Sequence, residues 1–300
     1  MKLPKVTNKQ QEIIKLLYRY RFLNRIQIQK LMNHKDYKTI NLWLKDLTEK
    51  QFLNRIYSTH FLEKSKPAIY YLGINSIRFL KQQTDVTEDD QGYPTYPITE
   101  LRKRYRERQR SENLRSHSIL IAECCINLKS KTSQRLSYGL ATQADYIDPN
   151  HGYHFLSGAE GITPDLCIIK HEYSANQKNN PTADDEDVPG TITNYLLQIF
   201  DSTLPQYRIR NTLKQYVNYL NNDGWESGDN DPAPVVLLVC PRVTDLIYAK
   251  RRTRKLLLDE YYDFEDIPKD LHIRFTTTEQ LKQEGINSPI WEEYRRRYDV

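Results

Sequence analysis

The stretch NYLLQIFDST, residues 194–203, reads as a strand that runs into a loop. Tyr195 to Phe200 is mostly apolar, and Asp201-Ser202-Thr203 breaks the run. Side chains alternate along a strand, so Gln198 and Phe200 share one face and Asp201 falls on the other if the strand stays regular. A second stretch, GITPDLCIIK at 161–170, has the same character, with Pro164-Asp165 at its edge and apolar residues behind. The residues between, Ser174 to Gly190 with Asp184-Asp185-Glu186-Asp187, read as a polar insertion between two strands.

Outward from this pair the chain alternates. Leu136 to Thr142 and Asp165 to Lys170 are expected strands, and Tyr195 to Asp201 is a third. Gln206 to Leu220 has helical spacing, Val235 to Cys240 is a buried strand, Val243 to Tyr261 a helix and Leu271 to Thr276 a strand. Alternation of this kind predicts an α/β domain. It is preceded by an arginine-dense helix, Leu101 to Arg115, and an apolar helix beginning at His117-Ser118. The first of these holds seven Lys/Arg and two Glu, and reads either as a backbone-contacting element or as a solvated helix.

The N-terminal part has another pattern. Ile13, Ile14, Leu17 and Tyr20 mark a helix over 8–22, and Asn24 can cap a shorter one carrying Ile28 and Leu31. Asn33 to Asp36 makes a turn. A third helix, Tyr37 to Lys50, turns Ile40, Leu44 and Leu47 inward. Phe52 to Thr59 and Ala68 to Leu72 then read as a hairpin, closed by a helix from Ser76 to Gln83. Three helices and a hairpin predict a winged helix-turn-helix over 1–83. Residues 84–100, acidic at first and bearing Pro94 and Pro97, read as a linker to a domain over 101–300.

Charge agrees with this division. The net charge is +5, but residues 1–83 hold 17 Lys/Arg against 5 Asp/Glu, and the remainder 27 against 34. A basic domain on an acidic partner suggests that the first part meets a polyanion, with double-stranded DNA the default candidate. The cations are spread over several elements, which argues against a membrane surface. No apolar run is long enough to span a bilayer and no leader pattern is visible, so a cytoplasmic protein is expected. Cys124, Cys125, Cys167 and Cys240 sit in apolar contexts without metal-ligand spacing and read as buried thiols. His151 and His154 do not form a site by themselves.

In a winged helix the third helix enters the major groove. With Ile40, Leu44 and Leu47 inward, Lys35, Lys38, Asn41 and Lys45 face out. Asn41 suits an adenine edge, the lysines suit phosphate or guanine, and Thr39 is placed for phosphate. His60, Lys64 and Lys66 at the hairpin tip would reach the DNA backbone or minor groove, flanked by Arg55 and Tyr57. A solvated charged helix face is the plain alternative.

The second domain raises a question of metal chemistry. A Mg²⁺-dependent nuclease holds its ion on carboxylates from two adjacent strands, often with a lysine beside the second acid. Asp165 supplies the first acid. Gln198 and Phe200 occupy the positions where the second acid and lysine belong, and neither serves. A site can still be drawn from Asp165, Asp201 and Glu123 as metal ligands with Lys214 reaching in from the next helix, if Asp201 swings back at a bulge. The expectation is a degraded site and no cofactor, with Mg²⁺ needed only if the site is active. Asp165 would then do no more than cap a turn.

Taken together, several short motifs carry a resemblance. They are Tyr70-Tyr71-Leu72-Gly73-Ile74-Asn75-Ser76, His117-Ser118, Thr163-Pro164-Asp165, Gln198-Ile199-Phe200-Asp201-Ser202-Thr203, and Lys214-Gln215-Tyr216 with Tyr219. In this order, from about Gln10 to Thr276, the chain resembles the replication-relaxation family of plasmid and mobile-element proteins. That family joins a winged helix to a domain similar to PD-(D/E)xK nucleases. Thr163 stands where the family has arginine, Gln198 falls on its Glu, Phe200 on its Asp and Ser76 on its wing glycine. The resemblance implies a DNA-binding protein acting in replication, mobilisation or transcriptional control, with a nuclease-like domain expected to be inactive. The alternatives are an active Mg²⁺-dependent endonuclease and a DNA-bound adaptor that recruits a protein through residues 101–300.

Overall fold

A computed structural model describes residues 3–57, 66–83, 96–146, 162–173, 191–222, 233–261, 267–268 and 271–294. The fold is mixed α and β. It divides into two compact units, Met1–Ile126 with Ala144–Gly152, and Asn127–Gln143 with Tyr153–Val300.

The first unit begins with α1 (Asn8–Tyr20), started by a capping box in which Thr7 Oγ1 accepts from the Gln10 N–H and Gln10 Oε1 from the Thr7 N–H. A short strand β1 (Leu23–Asn24) leads into α2 (Arg25–Leu31), capped in the same way by Asn24 and Gln27. Asp36 caps α3 (Tyr37–Glu49) through the N–H groups of Lys38 and Thr39. Strands β2 (Leu53–Ile56) and β3 (Ile69–Leu72) follow, then α4 (Ile74–Gln83). The sheet order is β1-β3-β2, antiparallel throughout, with Leu23 opposite Tyr70 and Leu53 opposite Leu72. Ile13, Ile14, Leu17, Ile28, Ile40 and Leu47 are fully buried, as their helical spacing required, and Leu23 of β1 is buried with them.

Two details fix the exit from β3. Gly73 donates to the Phe52 carbonyl at 2.6 Å, and a Cβ there would meet the Gln51 carbonyl oxygen at 2.4 Å. Only glycine allows this approach. Ser76 is fully buried and its hydroxyl donates to the same Phe52 carbonyl at 2.7 Å. The serine therefore has a structural duty of its own at the position where the resemblance has glycine.

The arginine-dense segment is not one helix. It forms α5 (Ile98–Tyr105), a 3₁₀ turn at Glu107–Gln109, and the start of α6 (Glu112–Ser130). Glu107 causes the break. Its carboxylate is buried and takes a two-pronged bond from Arg21, at 2.7 and 3.0 Å, with Arg104 at 3.6 Å. The buried Arg104 and the partly exposed Arg21, gathered on one buried carboxylate, hold the chain in the turn. Neither expectation for this segment covers Arg104, which is buried and lies over the Tyr18 ring. Tyr96 packs edge-on against Tyr18, and α5 begins inside the stretch read as linker, so residues 96–126 belong with the first unit.

The second unit is built on a six-stranded mixed sheet in the order β4-β5-β6-β7-β8-β9. The strands are β4 (Leu136–Thr142), β5 (Leu166–Glu172), β6 (Thr191–Ile199), β7 (Val235–Cys240), β8 (Ile273–Thr277) and β9 (Glu292–Glu293). Pairings β4/β5, β5/β6 and β8/β9 are antiparallel, while β6/β7 and β7/β8 are parallel. The parallel pairs are joined through α7 (Gln206–Asn221) and α8 (Val243–Tyr261). Every residue of β7 is buried, as a central parallel strand should be. α9 (Thr278–Glu284) starts from a third capping box, Thr277 with Gln280. All four cysteines are buried and none forms a disulfide. No helix among the described residues is long and apolar enough to cross a membrane.

Candidate functional site

Two groups of residues decide what the chain can do. The first is the outer face of α3. Burial of Ile40, Leu44 and Leu47 leaves Lys38, Asn41 and Lys45 exposed, with Lys35 just before the helix. Among the described residues neither Lys35 nor Lys38 has a carboxylate partner. Lys45 lies 3.8 Å from Glu49, an exposed pair of little energetic weight. Thr39 is drawn into the helix start, where its hydroxyl donates to Asp36. The same bond and the Lys38 N–H lower the Asp36 carboxyl below its usual range.

Two apolar side chains stand on this face that the sequence reading left out. Leu42 is 66 % exposed and Tyr37 51 %. Arg25 from α2 lies 5.6 Å from the Tyr37 ring centre, which places a further cation beside α3. A leucine in the polar phase of an otherwise amphipathic helix was the available signal. On the hairpin, Arg55 is exposed and sits over the Tyr57 ring at 5.3 Å. Lys66 is exposed at the start of the returning arm, and His60 and Lys64 lie outside the described residues.

The second group lies across the sheet of the second unit. The registers of β4/β5 and β5/β6, continued by one residue, put Gln143, Asp165 and Gln198 side by side. Asp165 is 5 % exposed. Its Oδ2 accepts from Gln198 Nε2 at 2.9 Å and from the Ile199 N–H at 2.8 Å, and its Oδ1 from Gln143 Nε2 at 3.3 Å. Tyr216 of α7 donates to Gln198 Oε1 at 3.3 Å. Burial, with Asp165 close by, drives the Tyr216 hydroxyl pKa well above its ordinary value, so the phenol stays a proton donor. Asp165 thus joins the ends of three strands, a larger role than capping a turn.

The structure brings Asp165 and Gln198 together and adds Tyr216, which the Lys214-Gln215-Tyr216 motif had marked, and Gln143, which nothing local in the sequence marked. The other expected site residues are engaged elsewhere or exposed. Asp201 Oδ1 accepts from both the N–H and the hydroxyl of Thr203, at 2.8 Å each, in the turn after β6. Phe200 is buried and donates its N–H to Val239. Lys214 is exposed on α7. Glu123 belongs to the first unit, where Lys30 approaches it at 3.6 Å and Gln27 at 3.4 Å. A Mg²⁺ ion takes oxygen ligands in octahedral geometry. Gln143, Gln198 and Ile199 present N–H hydrogens to Asp165, and an N–H is not a ligand for that ion. No cluster of three or more His, Cys, Asp or Glu among the described residues could hold a metal.

The chain was compared with protein-family models, with curated proteins and with solved structures, and none of them matches it.

Proposed function

We propose that the chain is a DNA-binding protein of a plasmid or other mobile element, serving its replication, mobilisation or transcriptional control. In this reading the first unit is a winged helix with α3 as its recognition helix. The second is a nuclease-like scaffold whose metal site has been replaced by a hydrogen-bonded row. The observation that carries the reading is the outer face of α3, where Lys35, Lys38, Asn41 and Lys45 stand free of the core. The Lys35 and Lys38 ammonium groups, without carboxylate partners among the described residues, are available to phosphates, and the exposed Asn41 amide suits an adenine edge. The excess of cations before residue 84 adds the long-range attraction.

Two features support a scaffold role for the second unit. Asp165 accepts from two neutral side-chain amides and a backbone N–H, and Gln198 stands where an acid would be wanted. An endonuclease using Asp165, Asp201 and Lys214 would first have to displace the Gln198 amide and free Asp201 from Thr203.

The test is a fluorescence-anisotropy titration of a mixed-sequence duplex at several salt concentrations. Affinity should fall steeply with salt, by about 0.9 in log–log slope for each phosphate contacted, and Lys38→Ala should lower that slope by about 0.9. Absence of duplex binding at low salt, or an unchanged slope in Lys38→Ala, would refute the reading.

A further inference from the structure

The sheet of the second unit has a second face. Gln198 points to α7, so the alternate residues of β6 and their neighbours point away from it. There an open cavity of about 970 Å³ runs across the strands from β4 to β9. Three aromatic residues line it, Tyr138, Tyr195 and Trp291, together with three cations, Lys131, Lys170 and Arg274. All six are partly or fully open to solvent. Register fixes their spacing. Tyr138 lies directly opposite Lys170, Tyr195 opposite Ile168, and Arg274 opposite Leu237.

We propose that this trough binds single-stranded nucleic acid, with bases against the aromatic rings and phosphates at the cations. Three observations support that occupant over others. The lining has three cations and one carboxylate, Glu293, although residues after 83 carry 27 Lys/Arg against 34 Asp/Glu. A locally positive hollow in an acidic region selects an anion. Rings interleaved with cations are what an unpaired strand needs, since its bases are free to stack and a duplex keeps its own inside. The hollow also stands at the upper end of the volumes that enclose a small ligand, and it extends across the sheet, as a chain molecule requires.

The cations are held in different ways. Lys131 has no carboxylate partner among the described residues. Lys170 is paired with Glu172 at 3.0 Å, and Arg274 with Glu293 at 3.3 Å. Glu293 therefore competes with a phosphate for Arg274. Tyr138 rests near Asn287, its hydroxyl 3.5 Å from Oδ1, and Trp291 donates to the Ile286 carbonyl, so two of the rings are held in place before a strand arrives.

This site is separate from the α3 face and can stand or fall without it. The experiment is an anisotropy titration of fluorescein-labelled oligothymidylate with the full chain at low salt. Tyr138→Leu should weaken binding about five-fold or more, the loss expected for one stacked base. Lys131→Ala should reduce the salt slope by about 0.7. Glu293→Gln should tighten binding by releasing Arg274, a gain that misfolding cannot imitate. Lys38→Ala should leave the titration unchanged. The proposal is overturned if oligothymidylate does not bind, or if Tyr138→Leu and Glu293→Gln change nothing. It is equally overturned if Lys38→Ala abolishes binding, which would place the strand on α3, or if thymidine monophosphate displaces the strand at equal concentration.

Discussion

The α3 face and the Asp165 row use similar side chains to opposite ends. On and just before α3 the polar groups point outward, and the side chains of Lys35, Lys38 and Asn41 are exposed, the two lysines without a carboxylate partner among the described residues. In the row, Gln143, Gln198 and Tyr216 close on Asp165 and on each other. A polar group left open in water costs little and remains available to a partner. One withdrawn from water must be satisfied internally or it destabilises the fold. The type of residue does not distinguish an interface from a structural tie; the state of its hydrogen bonds does.

That contrast can be broken most forcefully at buried charges. Glu107→Ala leaves the Arg21 and Arg104 guanidinium groups without their shared carboxylate. Unfolding by urea should show a loss of about 3–5 kcal/mol, the usual result of breaking a buried pair from one side. Asp165→Ala leaves two glutamine amides and a backbone N–H without an acceptor. A loss of about 3 kcal/mol is expected by the same measurement, while Lys38→Ala should stay within about 0.5 kcal/mol of wild type. Equal costs for Asp165→Ala and Lys38→Ala would erase the distinction.

Alkali offers a second route. Burial raises the Tyr18 hydroxyl to about 12 and lifts Tyr20 and Tyr219 as well. A raised pKa means that the folded chain holds the proton more tightly. Stability is therefore fully present below about pH 10 and falls above it, by about 1.4 kcal/mol per pH unit for each such tyrosine. Denaturation midpoints should drop between pH 10 and 12, whereas a midpoint flat to pH 12 would contradict this burial. The smallest effect belongs to the helix starts. Thr7→Ala removes half of a capping box and should cost about 1 kcal/mol by thermal melting, with no change in duplex affinity.

Much of this was legible in the chain. Apolar spacing located α1, α3, α7 and α8, and β7 and α8 occupy the spans that their composition indicated. Two capping boxes, Thr7 with Gln10 and Thr277 with Gln280, are further local signals of helix starts. Other features have no local signature. β1 is two residues long and exists because β3 offers it an edge. β9 is Glu292-Glu293, which reads as solvated charge until Arg274 and Lys250 are seen beside it. The break before α6 depends on Arg21, 86 residues away from Glu107. Gln143 enters the row through strand register alone. Pair spacing along one strand suggested the loss of an acid at Gln198, but only the packed sheet places that amide on Asp165.

The most direct measurement is a gel of supercoiled plasmid incubated with Mg²⁺ or Mn²⁺ and the wild-type chain, beside Asp165→Asn and Lys38→Ala. An open α3 face and a structural Asp165 predict retarded, intact plasmid with wild type and Asp165→Asn, and weakened retardation with Lys38→Ala. Nicking by wild type that disappears in Asp165→Asn would contradict the account, because the carboxylate held by Gln198 and Gln143 would then be a metal ligand.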